Sequence, residues 1–152
     1  MSDTGTIQLV YASRSTFGDD FGVPATRREL LRIVRRSRSH NGANGIVGVL
    51  HFGRGCFLQV LEGSEAAVEA LFEGIRADPR NTDVTLLRRR AIAECRFGDW
   101  RMKFLTLERE LDDLLRRHGA ARFEPHALTE RMLSELIGLL AAGREAPLPA
   151  AD

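Results

Sequence analysis

Apolar and polar residues alternate over residues 7–12, with Ile7, Leu9 and Tyr11 set against Gln8, Val10 and Ala12. A period of two predicts a first strand. Residues 14–25 are rich in Gly, Asp and Ser with one Pro, and read as a long loop. Thr26 followed by Glu29 has the form of a capping box. Leu30, Ile33, Val34 and Ser37 then recur at helical spacing, giving a first helix to about Ser39. The run Asn41-Gly42-Ala43-Asn44-Gly45 ends it with residues that tolerate left-handed backbone.

Residues 46–52 and 56–62 are apolar and β-rich, joined by a link of hairpin length, Gly53-Arg54-Gly55. Gly63 and Ser64 open a second helix, whose Val68, Leu71, Phe72 and Ile75 lie on one stripe. Asp78-Pro79-Arg80-Asn81 stops it, and residues 84–93 and 100–105 read as a fourth and a fifth strand. The order βαββαββ predicts an α+β, ferredoxin-like fold. Its five-stranded mixed sheet carries two helices on one face. Two further amphipathic helices follow, one with Leu107, Leu111, Leu114 and Leu115, the other with Leu133, Leu136, Ile137 and Leu140. Their apolar stripes require cover, most simply the bare sheet face, alternatively a second copy of the chain. The organisation is thus a domain over residues 1–105, a helical extension over 106–145, and a frayed tail over 146–152.

A chain of 152 residues with 43% hydrophobic and 28% charged residues fits one folded domain with a small appendage. Basic and acidic residues nearly cancel, 22 against 21, so no strong pull on nucleic acid or membrane is expected. Arginines cluster over residues 27–38 and 88–90, which read as solvated faces of a helix and an edge strand, the alternative being a partner- or phosphate-binding patch. Cys56 and Cys95 form no paired motif, and His40, His51, His118 and His126 have no metal-ligand spacing. No apolar run approaches the ~20 residues of a membrane span, and residues 1–6 lack a signal peptide's character. A cytoplasmic protein with no metal and no membrane contact is the expectation.

One strand breaks its own pattern. In Cys56-Phe57-Leu58-Gln59-Val60-Leu61 a single amide stands among five apolar side chains. A buried amide left unpaired costs about 1–3 kcal/mol, so Gln59 needs a partner. Tyr11, the only tyrosine, has the same need for its hydroxyl. In a βαββ order the first and third strands are neighbours, so the two can touch. Asn41, near the end of the first helix, can present another amide to the same cleft. The group reads either as a structural network or as the edge of a heterocycle site. An amide offers both donor and acceptor, which suits the carbonyl and ring-nitrogen pattern of a flavin or nucleobase.

Leu9-Val10-Tyr11-Ala12-Ser13, His40-Asn41-Gly42-Ala43-Asn44-Gly45-Ile46-Val47-Gly48-Val49-Leu50 and Phe57-Leu58-Gln59-Val60-Leu61-Glu62-Gly63 together resemble the BLUF domain, the sensor of blue light using FAD. Asp78-Pro79-Arg80 and Phe97-Gly98-Asp99-Trp100-Arg101-Met102 match it as well. The likeness runs unbroken over about residues 7 to 105. It implies that Tyr11 is the photoactive tyrosine, Gln59 the switching glutamine, and Asn41 the amide that bonds the flavin's pyrimidine edge. His40 and Arg80 match flanking positions, Ile33 packs on the ring, and Trp100 with Met102 form a signalling pair on the last strand. In that family the tyrosine gives an electron and then a proton, through the glutamine, to light-excited flavin. The return leaves a rearranged hydrogen-bond network and a red-shifted absorption, with no covalent adduct.

Against that pattern the 14–25 loop reads as longer than in compact members, with none of the named residues lost. At most 47 residues follow position 105, too few for a cyclase, phosphodiesterase or DNA-binding effector domain. The chain therefore resembles the short BLUF proteins, with output through assembly into a homo-oligomer or through a separate protein partner. Because the named residues address only the ring, FAD as the cofactor follows from the resemblance alone. The alternative is an RNA-binding module, since Arg54-Gly55-Cys56-Phe57-Leu58 faintly echoes an RRM strand, although Gln59 replaces a stacking aromatic. A transferase or hydrolase would need a Ser/Cys–His pair, a phosphate loop or convergent carboxylates, and none stands out; no enzyme activity is expected.

Overall fold

Which face of a sheet a residue joins follows from its parity along the strand, and here the two parities feed two separate cores. The computed structural model describes residues 5–19, 22–98, 100–120 and 128–143. Strands β1 (Thr6–Ser15), β2 (Val47–Gly53), β3 (Cys56–Ser64), β4 (Asn81–Ala91) and β5 (Lys103–Leu105) form one mixed sheet in the order β4-β1-β3-β2-β5. All neighbours run antiparallel except β2 and β5, which are parallel. Ile7, Leu9, Tyr11, Phe57 and Leu61 face helices α1 (Pro24–Asn44) and α2 (Glu65–Arg76). Val10, Ala12, Leu58 and Val60 face α3 (Glu108–Arg117) and α4 (Glu130–Ala142). The fold is the α+β, ferredoxin-like arrangement expected, and the apolar stripes of the last two helices cover the second sheet face.

Several boundaries differ from the expectation, each for a local reason. Pro24 at the first helical position starts α1 early, behind Val23, which supplies no side-chain cap. Thr26 is therefore no N-cap; it is buried inside the first turn. At the other end α1 continues past Asn41 and Gly42 to Asn44, and stops only where Gly45 adopts a φ of 67° and its N–H bonds the Asn41 carbonyl. Because β1 runs to Ser15, pairing Arg14 with Cys56 and Thr82, the long loop shrinks to residues 16–23. The fifth strand is short for a complementary reason. Asn41 Nδ2 takes the Arg101 carbonyl at 2.6 Å and Arg38 Nε the Met102 carbonyl at 2.9 Å, so α1 side chains replace a neighbouring strand there.

The β2–β3 hairpin turns on two residues, Arg54 (φ 53°) and Gly55 (φ 76°), the paired positive values of a type I′ turn. Arg54 holds that conformation with help from α3: its backbone N–H bonds Glu108 Oε1 at 3.1 Å, and its guanidinium meets Asp112 at 2.6 Å. Ser64 caps α2 as expected, accepting from the Ala67 N–H at 3.3 Å. No helix among the described residues is long and apolar enough to cross a membrane. The expected frayed tail lies outside the described residues.

Candidate functional site

The register of β1 against β3 sets Tyr11 opposite Gln59. Both point to the α1/α2 face and both are buried. The Tyr11 hydroxyl donates to Gln59 Oε1, and Gln59 Nε2 donates to Met102 Sδ at 3.4 Å. The amide thus has a partner at each end, as its burial demanded, and both partners are neutral. Burial pushes the Tyr11 phenol above its ordinary range, and the negative Asp78 carboxylate pushes the same way. The phenol is kept protonated and able to donate.

Above this pair, between α1 and α2, lies a cavity of about 610 Å³, within the range that binds cofactor-sized ligands. Tyr11, Gln59, Leu50 and Phe57 form its floor. Ile33, Arg36, Ser37 and His40 line it from α1, and Leu71, Gly74 and Ile75 from α2. A Cβ at Gly74 would meet no atom within 4 Å, so the α2 wall is recessed at that point. The mouth carries Asp78, Arg80 and Asn81. Arg80 is held in place by Asp78, with Nη2–Oδ2 at 2.7 Å, and by Glu29 at 4.0 Å. The same Arg80 bonds hold the Asp78 carboxyl below its usual value, so the pair stays ionised at the rim.

Ile33, His40, Arg80, Tyr11 and Gln59 all line this one cavity. Asn41 is placed differently: fully buried, it spends Nδ2 on the Arg101 carbonyl, while its Oδ1 has no hydrogen-bond partner. Trp100 and Met102 part company. Because neither lies in a strand, the two-residue spacing does not put them on one face. Met102 is buried on the cavity side. Trp100 is half-buried on the far side, its ring 5.8 Å from that of Phe97 and 3.6 Å beneath the Lys103 ammonium.

Sequence reasoning missed Arg36, Ser37 and Asp78 as cavity residues, and it set Leu71 and Ile75 on one apolar stripe with Val68 and Phe72. Their helical stripe was the right signal, yet only Val68 and Phe72 of that stripe reach the interior. Phe57 is no stacking platform for RNA: it is buried under Phe17 and Phe52, with ring centroids at 5.9 and 5.0 Å, and the opposite sheet face is covered by α3 and α4.

These residues suit a planar heterocycle. The α2 wall is apolar, the α1 wall sets Ile33 among polar side chains, the floor offers a phenol and an amide, and the buried Asn41 amide oxygen next along α1 from His40 lacks a donor. Comparison with known proteins agrees. The profile of the BLUF domain, described as sensors of blue-light using FAD, matches residues 6–103. Photoactivated adenylate cyclase subunit beta-like protein FB of Euglena gracilis is 34% identical over 107 residues, covering 70% of this chain and 12% of its own. Photoactivated adenylate cyclase subunit beta of the same organism is 35% identical over the same length, with the same coverage. The match thus spans about an eighth of these curated relatives. Among solved structures, the photo-activated state of BlsA superposes with a TM-score of 0.84 at 28% identity, covering 93% of this chain and 99% of that one. The dark state of BlrB, a BLUF protein, superposes with a TM-score of 0.73 at 28% identity, covering 93% and 98%.

Proposed function

The chain belongs to the BLUF family of blue-light flavin sensors, and from that premise we propose that it is an FAD-binding photoreceptor switched by the Tyr11–Gln59 pair. The observation that carries this reading is the buried hydrogen bond from the Tyr11 hydroxyl to Gln59 Oε1 on the floor of a flavin-sized cavity. Tyr11, Ile33, His40, Asn41, Gln59 and Arg80 would hold the cofactor. A bound flavin would supply visible absorption and an excited state that accepts an electron.

With a flavin bound as electron acceptor, Tyr11 would be the electron donor and Gln59 the path for its hydroxyl proton, and the return of both to Tyr11 would leave no net oxidation. What persists is a new arrangement of the Gln59 amide. Since its two partners are a rotatable hydroxyl and a thioether, exchanging oxygen for nitrogen moves no charge and breaks no charge-assisted bond. In its new orientation the Gln59 amide would present a different hydrogen-bonding edge to a bound flavin, and a red-shifted absorption is the expected signature. Met102 feels the exchange directly, because it loses or gains the Nε2 donor.

Output passes through the last strand and the helices α3 and α4 to a second copy of the chain or to a separate protein partner, without chemistry on a substrate. The cofactor assignment is tested by denaturing purified protein and chromatographing the released chromophore. FAD is expected as the major species; FMN would correct the assignment, and the absence of any flavin after incubation with excess would overturn it.

A further inference from the structure

The face of the sheet away from the cavity holds a second set of buried polar groups, with no part in binding a chromophore. Gln8, Glu62 and Arg88 are all buried there, at 1%, 0% and 7% exposure. Glu62 Oε1 accepts the backbone N–H groups of Arg96 at 2.6 Å and Phe97 at 3.1 Å. Its other oxygen accepts from Gln8 Nε2 at 2.9 Å. Gln8 Oε1 in turn accepts from Arg88 Nη1 at 3.4 Å. Arg88 Nη2 ends the chain on α4, donating to Glu130 and, at 3.0 Å, to Ser134 Oγ.

Charge fixes the sense of this chain. The Gln8 amide has a carboxylate on its nitrogen side and a guanidinium on its oxygen side, so turning it would place oxygen against Glu62 and nitrogen against Arg88. Both charge-assisted bonds would become repulsive contacts. Gln8 and Gln59 lie on the paired strands β1 and β3 and face opposite sides of the sheet. One is locked by charge; the other meets neutral partners at both ends and is able to turn. The stretch that carries Arg96, Phe97, Trp100 and Met102 touches both: Met102 meets Gln59 on the cavity side, while the Arg96 and Phe97 amides sit on Glu62 on the far side.

We propose that Glu62, Gln8 and Arg88 are positioning residues for output, a rigid polar relay that ties the backbone at Arg96–Phe97 to α4, so that displacement at Met102 loosens α4. The inference rests on the photoreceptor reading above and names the route by which that switch reaches the helices. Because the relay is locked, it transmits displacement: a shift at Arg96–Phe97 drags or releases Glu62, and the strain reaches Glu130 and Ser134. A purely structural network would hold α4 equally well in the dark and in the light.

The test is amide hydrogen exchange on the full flavin-loaded chain, in the dark and under continuous blue light, with the absorption shift recorded on the same samples. Faster exchange of the α4 amides in light is expected for the wild type. In Arg88→Met the red shift should be unchanged, the α4 amides should exchange in the dark at the lit wild-type rate, and light should add nothing. The double variant Glu130→Gln/Ser134→Ala, altered only at exposed positions of α4, should behave the same way and serves if Arg88→Met fails to fold. A wild-type red shift without any change in α4 overturns the relay and leaves the photoreceptor reading intact, as does a full light response of α4 in the variants. A wild type with no red shift overturns both.

Discussion

Tyr11 and Gln59 face each other in register across β1 and β3, and the phenol of one donates its hydrogen to the amide oxygen of the other. That contact joins the two most conspicuous polar residues of the cavity floor into one unit. The unit has a donor that can rotate, an amide that can turn, and a thioether on the far side of the amide to register the turn.

Met102→Leu keeps volume and burial, so its cost in stability should stay below about 1.5 kcal/mol. It removes the sulfur that accepts from Gln59 Nε2. A weak bond of this kind, worth about 0.5–1 kcal/mol and about half remade on the way back, implies dark recovery slowed by about 1.5- to twofold. Recovery followed by absorbance after a light pulse measures it; unchanged or faster recovery would remove Met102 from the switch.

Asn41→Ala should have two separable effects. Loss of the 2.6 Å bond to the Arg101 carbonyl removes a part-buried hydrogen bond, a cost of about 0.5–1.5 kcal/mol visible in thermal melting. Loss of the amide also weakens cofactor binding, visible as a lower flavin-to-protein ratio after gel filtration. An undiminished ratio in a destabilised variant would make Asn41 purely an anchor for the stretch before β5.

His51 gives a pH signature. Burial pushes its imidazole down to about 4, with the opposing hydrogen bond to the Leu105 backbone only partly offsetting this, and its Nδ1 accepts the Leu107 N–H at 3.1 Å. Below pH 6.5 the unfolded chain binds a proton that the folded chain refuses. Stability therefore falls as pH drops from 6.5 toward 4, by about 3 kcal/mol in all. His51→Gln cannot titrate, so its stability in chemical denaturation should be flatter across that window; parallel wild-type and variant profiles would contradict the assignment.

Much of this architecture was legible in the sequence because parity and period carry it. The alternation of Ile7, Leu9 and Tyr11 against Gln8, Val10 and Ala12 separates the two cores correctly, and a lone Gln59 in an apolar strand declares a buried partner. The boundaries failed where a tertiary contact outweighs a local signal. Thr26 with Glu29 has the form of a cap, yet Pro24 begins the helix first. Residues 100–102 have strand composition, yet α1 side chains occupy the carbonyls of Arg101 and Met102. That same irregularity splits Trp100 from Met102, which no spacing rule anticipates. Leu71 and Ile75 show the reverse case, where part of a helical stripe faces a cavity and so resembles core in the sequence. The far-face network is legible only in part: Gln8 falls on the face opposite Tyr11, but Arg88 reads as one of a solvated edge-strand cluster and nothing along the chain singles out Glu62.

Helix α4 offers a check on the fold itself. Ile137 is fully buried against the far sheet face, so Ile137→Ala should destabilise the chain by about 2–5 kcal/mol in denaturant unfolding. A loss near zero would mean that the apolar stripe of α4 is covered by something other than its own sheet.

The most direct test is the light-minus-dark absorption spectrum of the flavin-loaded wild type beside that of Tyr11→Phe. The account predicts a red shift in the wild type that reverses in the dark, and none in Tyr11→Phe, which should still bind flavin. A flavin-loaded wild type with no shift, or the same shift in Tyr11→Phe, would contradict it.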